Sequence, residues 1–415
     1  MGGATNPALE LFPDTAAVEN GELVVGGVRA TELAREFGTP LVAYCRNTVL
    51  ARARAYARVD PDDALVVYGT KAFPNVALLQ LLAAEGLGAD VSTAGELEFA
   101  LRAGICGERL VFHGNNKSDD ELRAAAAAGA LVVLDALEEI ARAKDAGVRR
   151  VLVRLTPGIE AETHQAIRTA HAASKFGLAP DDAVTAVRQA GDAGLEVAGL
   201  HMHIGSQLVR ADESLAAVDR LVDVARRCEG WTPQLFNLGG GAGVRHALAE
   251  SAPDPAAFAE QMVTRLRTRW PEPVGLILEP GRSLIGQAGL TLYAVGAVKG
   301  TTAAIDGGMS DNPRPQLYGA RYEALLANRA ADPARGTFRI AGKHCESGDV
   351  LIEEVELPEP QRGDLLAVPA TGAYTLAMAS NYNGVPRPPA VLVADGNAVL
   401  IRRRETVDDL LRYDS

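Results

Sequence analysis

The sequence is poor in cysteine and in positive charge. Four of its 415 residues are cysteines, and they are widely separated, with no CxxC pair: Cys45, Cys106, Cys228 and Cys345. This pattern disfavours a disulfide framework or a structural zinc site and is typical of reduced thiols in a cytoplasmic protein. The 41 Lys and Arg residues are outnumbered by 53 Asp and Glu residues, which gives a net charge of −12. Neither nucleic acid nor an anionic membrane is therefore expected as a partner, although local arginines could still hold an anionic small molecule.

Long apolar runs are also missing. No stretch approaches the roughly 20 apolar residues of a membrane-spanning helix. Residues 1–15 lack the basic and apolar regions of a signal peptide, and Asn6 stands where a myristoylation motif needs Ser or Thr. We therefore predict a cytoplasmic location.

From about residue 64 the chain alternates strand-like with helix-like segments. Eight apolar runs are separated by stretches rich in Ala, Leu, Glu and Arg; the runs are 64–68, 88–92, 110–114, 130–135, 150–155, 197–204, 233–238 and 275–279. Eight such units match a (β/α)8 barrel, typically about 250 residues long. Periodicity alone leaves a doubly wound open sheet as the alternative.

After about residue 288 the pattern changes to short Val-, Ile- and Leu-rich runs joined by turns, which predicts an all-β domain. We therefore expect an architecture in three parts. Residues 1–45 contribute short strands and a helix that pack with the β domain, residues 46–287 form the barrel, and residues 288–415 form the β-rich domain.

Unusual polar and glycine residues follow the predicted barrel strands, at the rim where barrel enzymes build their active sites. Lys71 ends the first strand, and burial there would desolvate its amine, lower its pKa and suit it to form a Schiff base. A lone strand-end lysine more often just extends to solvent. The other rim segments are Asp90 to Ser92, His113 to Asn115, His201 to Ser206, Gly239 to Gly243 and Glu279 to Arg282.

These segments offer groups for a phosphorylated cofactor. Consecutive glycines after the seventh strand can turn backbone N–H groups towards a phosphate, although a tight turn would also need them. His201 and His203 would point the same way in a strand, so a metal pair, stacking on a flat ring and core hydrogen bonds all stay open. Glu279 could face a protonated ring nitrogen or simply pair with Arg282. Together with Lys71 these are the groups that pyridoxal 5′-phosphate needs, while a phosphorylated sugar would use the same rim differently.

Taken in order over about residues 22–403, the motifs resemble those of the alanine-racemase-fold, pyridoxal phosphate-dependent amino acid decarboxylases. The shared motifs are Tyr68 to Ala72, Ala89 to Glu96, Ser174 to Gly177, His203 to Gln207, Gly239 to Gly241 and Glu279 to Arg282. Within that family, four further segments are similar to those of the diaminopimelate-specific branch: Asp306 to Tyr318, Cys345 to Asp349, Gly372 to Tyr374 and Asn381 to Asn383. Phe73 is a small departure, because many relatives carry asparagine there.

The resemblance implies a homodimer with shared active sites, in which Lys71 holds the cofactor, His203 stacks on its ring and Glu279 faces the ring nitrogen. It implies further cofactor contacts from Ser206, Gly239, Gly240, Gly241, Gly281, Arg282 and Tyr374. It implies substrate contacts from Arg282, Arg314, Tyr318, Glu346 and Tyr374, with the partner subunit's Cys345 as general acid.

The implied reaction is decarboxylation of meso-diaminopimelate to L-lysine and CO2. Arg314 and Glu346 carry the opposite charges that the carboxylate and ammonium at the non-reacting end of this substrate require. A related decarboxylase of ornithine, arginine or another amino acid, an alanine racemase, and a non-catalytic relative are the alternatives. No metal is implied.

Overall fold

The computed structural model describes residues 6–159 and 174–414. The first five residues of the predicted N-terminal segment, and residues 160–173 of the predicted barrel, lie outside this range. The chain forms two compact units, one of residues 52–243 and 252–283, the other of residues 1–51, 244–251 and 284–415. Among the described residues, none of the helices combines the length and the apolar character that crossing a membrane requires.

The strands of the described residues are β1 (Ala17–Glu19), β2 (Glu22–Val25), β3 (Val28–Arg29), β4 (Leu41–Cys45), β5 (Ala64–Gly69), β6 (Gly88–Val91), β7 (Leu110–Phe112), β8 (Leu131–Leu134), β9 (Arg150–Leu155), β10 (Glu196–Met202), β11 (Leu235–Asn237), β12 (Gly275–Leu278), β13 (Gly289–Lys299), β14 (Thr302–Ile305), β15 (Leu325–Leu326), β16 (Gly336–Ala341), β17 (Val350–Leu357), β18 (Leu365–Val368), β19 (Ala390–Ala394) and β20 (Asn397–Arg402). The α-helices are α1 (Ala30–Phe37), α2 (Arg46–Ala57), α3 (Val76–Ala84), α4 (Ala94–Arg102), α5 (Asp119–Ala127), α6 (Glu139–Asp145), α7 (Pro180–Asp192), α8 (Asp212–Arg227), α9 (Pro255–Arg269), α10 (Arg282–Ile285), α11 (Arg314–Tyr318) and α12 (Val407–Leu411).

Strands β5 to β12 form a closed barrel of eight parallel strands. The ring closes where β12 pairs with β5, with Leu276 opposite Ala64. Apolar side chains fill the interior, among them Val67, Val133 and Ile277, and each buried aliphatic side chain contributes about 1.5–3 kcal/mol. The prediction of a (β/α)8 barrel is confirmed, and the open sheet is excluded because β5 and β12 have no free edge.

The second unit is built on a β-sheet with the strand order β17-β16-β14-β13-β4-β19-β20, in which β18 also pairs with β13 and β15. The N-terminal strand β4 lies between β13, to which it is antiparallel, and β19, to which it is parallel. Leu41, Leu290 and Val391 belong to the core of this sheet. Strands β1 to β3 form a separate three-stranded sheet. The predicted all-β C-terminal domain is confirmed.

Parallel strands place all their carboxyl ends at one edge, and this arrangement gathers the candidate residues of the barrel. Lys71 lies in a 3-10 turn directly after β5, and Glu279 follows β12. Asn237 ends β11, while His201 is the penultimate residue of β10. These four residues come from distant parts of the chain and are brought to one rim by strand order.

Candidate active site

Glu279 is buried, with 8% of its surface exposed, and its carboxylate accepts hydrogen bonds from three side chains. His113 Nε2 and Asn237 Nδ2 lie 2.8 and 2.6 Å from Oε1. His201 Nε2 lies 3.3 Å from Oε2. Because an ionised carboxylate only accepts hydrogen bonds, each of these nitrogens presents an N–H to it.

The electrostatics of this cluster keep Glu279 charged. Burial alone would raise its pKa, but the neighbouring His113 and His201 hold the pKa of Glu279 well below its usual range. Burial lowers the pKa of His201 to about 4, so that its ring is neutral at pH 7. The nearby Asp90 has its pKa raised to about 6, chiefly by burial. The rim therefore presents a fixed anion, suited to a cationic group on a ligand.

His201 and His203 bind different partners. His203 lies just after the end of β10, and Gly240 N donates to its Nδ1 over 3.3 Å. Burial first, and then the positive charge of Lys71, keep the pKa of His203 well below 6.5. His113, His201 and Glu279 do offer ligand atoms within 4.8 Å of one another, which is a spacing that a metal ion can use. In this structure both histidine nitrogens hydrogen-bond to the Glu279 carboxylate.

The turn after β11 can be made only by glycine. Gly239 and Gly241 have φ values of +64° and +122°, in the region that favours glycine. A Cβ on Gly240 would lie 2.2 Å from the carbonyl oxygen of Glu279, so the two segments touch through their backbones. Gly239 N and Gly240 N donate to Asn237 Oδ1 and His203 Nδ1, and the absence of side chains lets a phosphate approach the backbone of this turn closely.

Other predicted phosphate ligands lie on the same rim. Arg282 is buried at the start of α10, and its Nη2 lies 3.3 Å from Ser206 Oγ. Gly69 N donates to Pro280 O over 3.1 Å, which sets Gly281 beside the end of β5. A guanidinium, a hydroxyl and a glycine turn together form a donor set that fits a phosphate group.

Lys71 differs from its prediction in one respect. The residue is exposed while Thr70 and Ala72 on either side are buried, so Lys71 is not enclosed as the end of a buried strand would predict. The reason is local, since β5 ends at Gly69 and the following turn carries Lys71 out of the packed core. Its charge nevertheless acts on both His203 and Asp90, which places the ammonium among the groups of the rim.

The second unit carries the predicted substrate residues. Arg314 begins α11 and is buried, with 4% of its surface exposed. Its Nη1 lies 2.7 Å from His246 Nε2 and 2.8 Å from Tyr322 Oη. Tyr318, at the end of the same helix, is half-buried. Because a guanidinium can only donate, His246 Nε2 and Tyr322 Oη both accept from Arg314 and fix its orientation.

Cys345 and Glu346 are exposed on the loop between β16 and β17. Gln316 of α11 donates to Gly348 O over 3.0 Å and to Val350 O over 2.9 Å. The loop with the predicted acid therefore adjoins the helix with the predicted substrate arginine.

Asn383 and Asp349 hold this loop in place. Asn383 Oδ1 accepts from Cys345 N over 3.2 Å. The Asp349 carboxylate accepts from Met309 N over 2.7 Å and from His344 N over 2.8 Å. Tyr374 follows β18 in the same unit, half-buried, with a φ of +58°.

Sequence reasoning missed two residues of the rim. The sequence pattern places His113 at a strand end but gives it no role, and it does not single out Asn237. The available signal for Asn237 is a polar residue that ends an apolar strand directly before the glycine run. Only the closed barrel shows that both side chains reach Glu279.

Comparisons with known proteins agree with this geometry. Residues 46–286 match the family described as "Pyridoxal-dependent decarboxylase, pyridoxal binding domain". A diaminopimelate decarboxylase of Actinosynnema pretiosum subsp. auranticum is 45% identical, over 100% of this chain and 98% of its own length. That of Bacillus subtilis is 40% identical, over 95% of this chain and 96% of its own.

The solved structures extend this agreement to the fold. A diaminopimelate decarboxylase from M. jannaschii in co-complex with L-lysine superposes with a TM-score of 0.90 at 32% identity, covering 97% of this chain and 98% of that one. The resemblance read from the motifs is confirmed: this chain belongs to the diaminopimelate decarboxylases, which are pyridoxal phosphate-dependent carboxy-lyases.

Proposed function

We propose that this chain decarboxylates meso-diaminopimelate to L-lysine and CO2, with Lys71 and Cys345 as its catalytic residues. The observation that carries the proposal is the buried, anionic Glu279, held by three donors at the rim that also bears Lys71 and the glycine turn. A carboxylate in this position keeps a pyridine nitrogen protonated, which is the electronic state that decarboxylation requires.

The rim fits pyridoxal phosphate by the chemistry of its groups. Lys71 would hold the cofactor through Nζ, Glu279 would face the ring nitrogen, and His203 would flank the ring, oriented by its bond from Gly240. The phosphate would be held by Ser206, Gly239, Gly240, Gly241, Gly281, Arg282 and Tyr374. When bound, the cofactor accepts the electron pair released as the bond between Cα and the carboxylate breaks.

The substrate residues act on the end of diaminopimelate that does not react. Arg314, with Arg282, Tyr318 and Tyr374, would bind its distal carboxylate, and Glu346 would bind its distal ammonium. Binding of this end holds the bond between Cα and the reacting carboxylate in the productive orientation, and so favours loss of CO2 over racemisation. The Cys345 thiol then donates a proton to Cα as general acid.

We further propose a homodimer in the cytoplasm, with the partner subunit's Cys345 and the partner subunit's Glu346 completing each site. The exposure of both residues on the loop between β16 and β17 supports this proposal, because catalytic groups at a surface can serve a neighbouring subunit. All four cysteines are free thiols, which suits a reducing compartment.

The central test is Lys71→Ala. Purified wild-type protein with pyridoxal phosphate is expected to release lysine and CO2 from meso-diaminopimelate, and not to act comparably on ornithine, arginine or lysine. The variant should lose the visible absorbance of the bound cofactor and about 10³-fold or more of its turnover, because no other group supplies the amine. Lys299→Ala, which alters an exposed lysine at the end of β13, is the matched control. Full turnover of Lys71→Ala would contradict the assignment, and preference for another amino acid would contradict the substrate.

A further inference from the structure

Asn237 has contacts that no step of the proposed reaction uses. The residue is fully buried, at 0% exposure. Its Nδ2 donates to Glu279 Oε1 over 2.6 Å, and its Oδ1 accepts from Gly239 N over 2.9 Å. One amide side chain therefore joins the Glu279 carboxylate to the first residue of the glycine turn.

The sheet explains why this position can reach both. In β11, Asn237 is opposite His201 of β10 and Ile277 of β12. Glu279 lies two residues beyond Ile277 and so projects to the same side of the chain. The orientation of the amide is also determined, because the reverse orientation would set its oxygen against the carboxylate and its NH2 against an N–H.

A backbone bond reinforces the same link, since Glu279 N donates to Gly239 O over 2.7 Å. Glu279 and Gly239 are thus tied twice, once through the main chain and once through Asn237. In the proposed function these two segments serve different ends of the cofactor, with Glu279 at the ring nitrogen and the glycine turn at the phosphate.

We propose that Asn237 is a positioning residue. Its two hydrogen bonds fix the Glu279 carboxylate, which faces the ring nitrogen, relative to the glycine turn, which binds the phosphate. The inference rests on the proposed roles of Glu279 and the glycine turn. It implies that a change at Asn237 alters the cofactor at both ends, although Asn237 itself touches neither.

Two substitutions separate the two bonds. Asn237→Leu keeps the branching of the side chain at Cγ and removes both the donor and the acceptor. Asn237→Asp keeps an acceptor for Gly239 N but replaces the donor to Glu279 with a second acidic group. The first should disturb both ends of the cofactor, and the second chiefly the ring end.

The chain offers a matched control in Asn328, which makes the same pair of bonds in the other unit. Its Nδ2 donates to Asp364 Oδ1 over 3.0 Å, and its Oδ1 accepts from Leu365 N over 3.0 Å. Asn328 is half-buried, and Asn328→Leu should lower the melting temperature without changing the bound cofactor.

The experiment is titration of each cofactor-free protein with ring-¹⁵N-labelled pyridoxal phosphate, followed by absorbance and by ¹⁵N and ³¹P NMR. Asn237→Leu should weaken binding by about tenfold or more and shift both NMR signals. Asn237→Asp should shift the ¹⁵N signal at pH 8 and leave the ³¹P signal as in the wild type. Wild-type signals in Asn237→Leu, equal ³¹P shifts in both variants, or the same shifts in Asn328→Leu would overturn the inference. Failure of the wild-type protein to bind the cofactor would instead refute the proposed function.

Discussion

Glu279 illustrates how a single residue keeps its charge inside a protein. A buried carboxylate normally takes up a proton, because a low-dielectric environment disfavours the ion. Here His113 and Asn237 both bind Oε1, and His201 binds Oε2. Three donors replace the water that burial removes, so the anion persists where a cationic ring nitrogen is expected.

Glu279→Gln tests the importance of this charge. The amide nearly preserves the shape of the side chain but cannot stabilise a protonated ring nitrogen, so kcat should fall by about 10²- to 10³-fold. KM should change much less, because no predicted substrate contact is removed. Steady-state kinetics with meso-diaminopimelate measure both constants. A variant with wild-type kcat would show that the charge of Glu279 is not used.

Asp311 gives a prediction for stability against pH. Burial raises its pKa to about 7, above the usual value near 3.9. The folded state therefore holds a proton that the unfolded state has lost, and this group makes the protein less stable as pH rises from about 4 to about 7.

Asp311→Asn should remove this loss of stability with rising pH, because asparagine does not ionise. Its oxygen can still accept from Gly308 N, as Asp311 Oδ1 does over 2.8 Å. Relative to the wild type, the variant should gain unfolding free energy with rising pH, by at most about 1.4 kcal/mol per unit. Urea unfolding at pH 5.5 and pH 8 measures the change, with the exposed Asp192→Asn as control. An identical pH dependence in the wild type and Asp311→Asn would refute the prediction.

At the scale of elements, the barrel depends on close contact between neighbouring strands. A Cβ on Gly199 of β10 would lie 1.8 Å from Leu235 O of β11. That contact involves backbone, which cannot rotate away as a flexible side chain can. The glycine is therefore required by strand packing and not by a turn.

Gly199→Ala should accordingly lower the unfolding free energy by about 2–3 kcal/mol, since the two strands must separate. Gly191→Ala is its counterpart within helix α7, where an added Cβ would meet no atom within 4 Å. That change should instead stabilise the protein by about 0.5–1 kcal/mol, because alanine favours the helix. Chemical denaturation measures the unfolding free energy of both variants, which should fall for Gly199→Ala and rise for Gly191→Ala. Equal effects would contradict the structural reason given for each.

At the scale of the whole molecule, the two units carry different parts of the proposed chemistry. Lys71 and Glu279 lie on the barrel unit, whereas Arg314, Cys345 and Glu346 lie on the β-rich unit. In the proposed homodimer, each site uses the partner subunit's Cys345 as its general acid. Two variants that are inactive alone should therefore regain activity when they form mixed dimers.

Co-expression of Lys71→Ala with Cys345→Ala tests that arrangement. If each site combines Lys71 of one subunit with the partner's Cys345, half of the dimers are mixed and each mixed dimer has one intact site. Activity should then reach about a quarter of the wild-type value, while either variant alone stays nearly inactive. Sedimentation confirms the oligomeric state. Absence of recovery in verified mixed dimers would mean that both residues act within one subunit.

Much of this protein could be predicted from local pattern. The alternation of apolar strands with helical segments indicates the barrel, and the Gly239 to Gly241 run indicates a close backbone approach. These features depend on interactions between residues near in sequence, such as side-chain periodicity and glycine conformations, which the order of residues determines directly. Family motifs then extended the prediction to Lys71, Glu279 and the substrate residues.

Only the tertiary structure decided which polar groups meet. The closure of β12 onto β5 and the order of the strands bring His113, His201 and Asn237 to Glu279 across as many as 166 positions of the chain. The tertiary structure also shows that Lys71 is exposed where β5 ends, whereas the sequence predicts its burial. Hydrogen bonds and solvent exposure depend on positions in space, and such long-range contacts exist only once the barrel has closed.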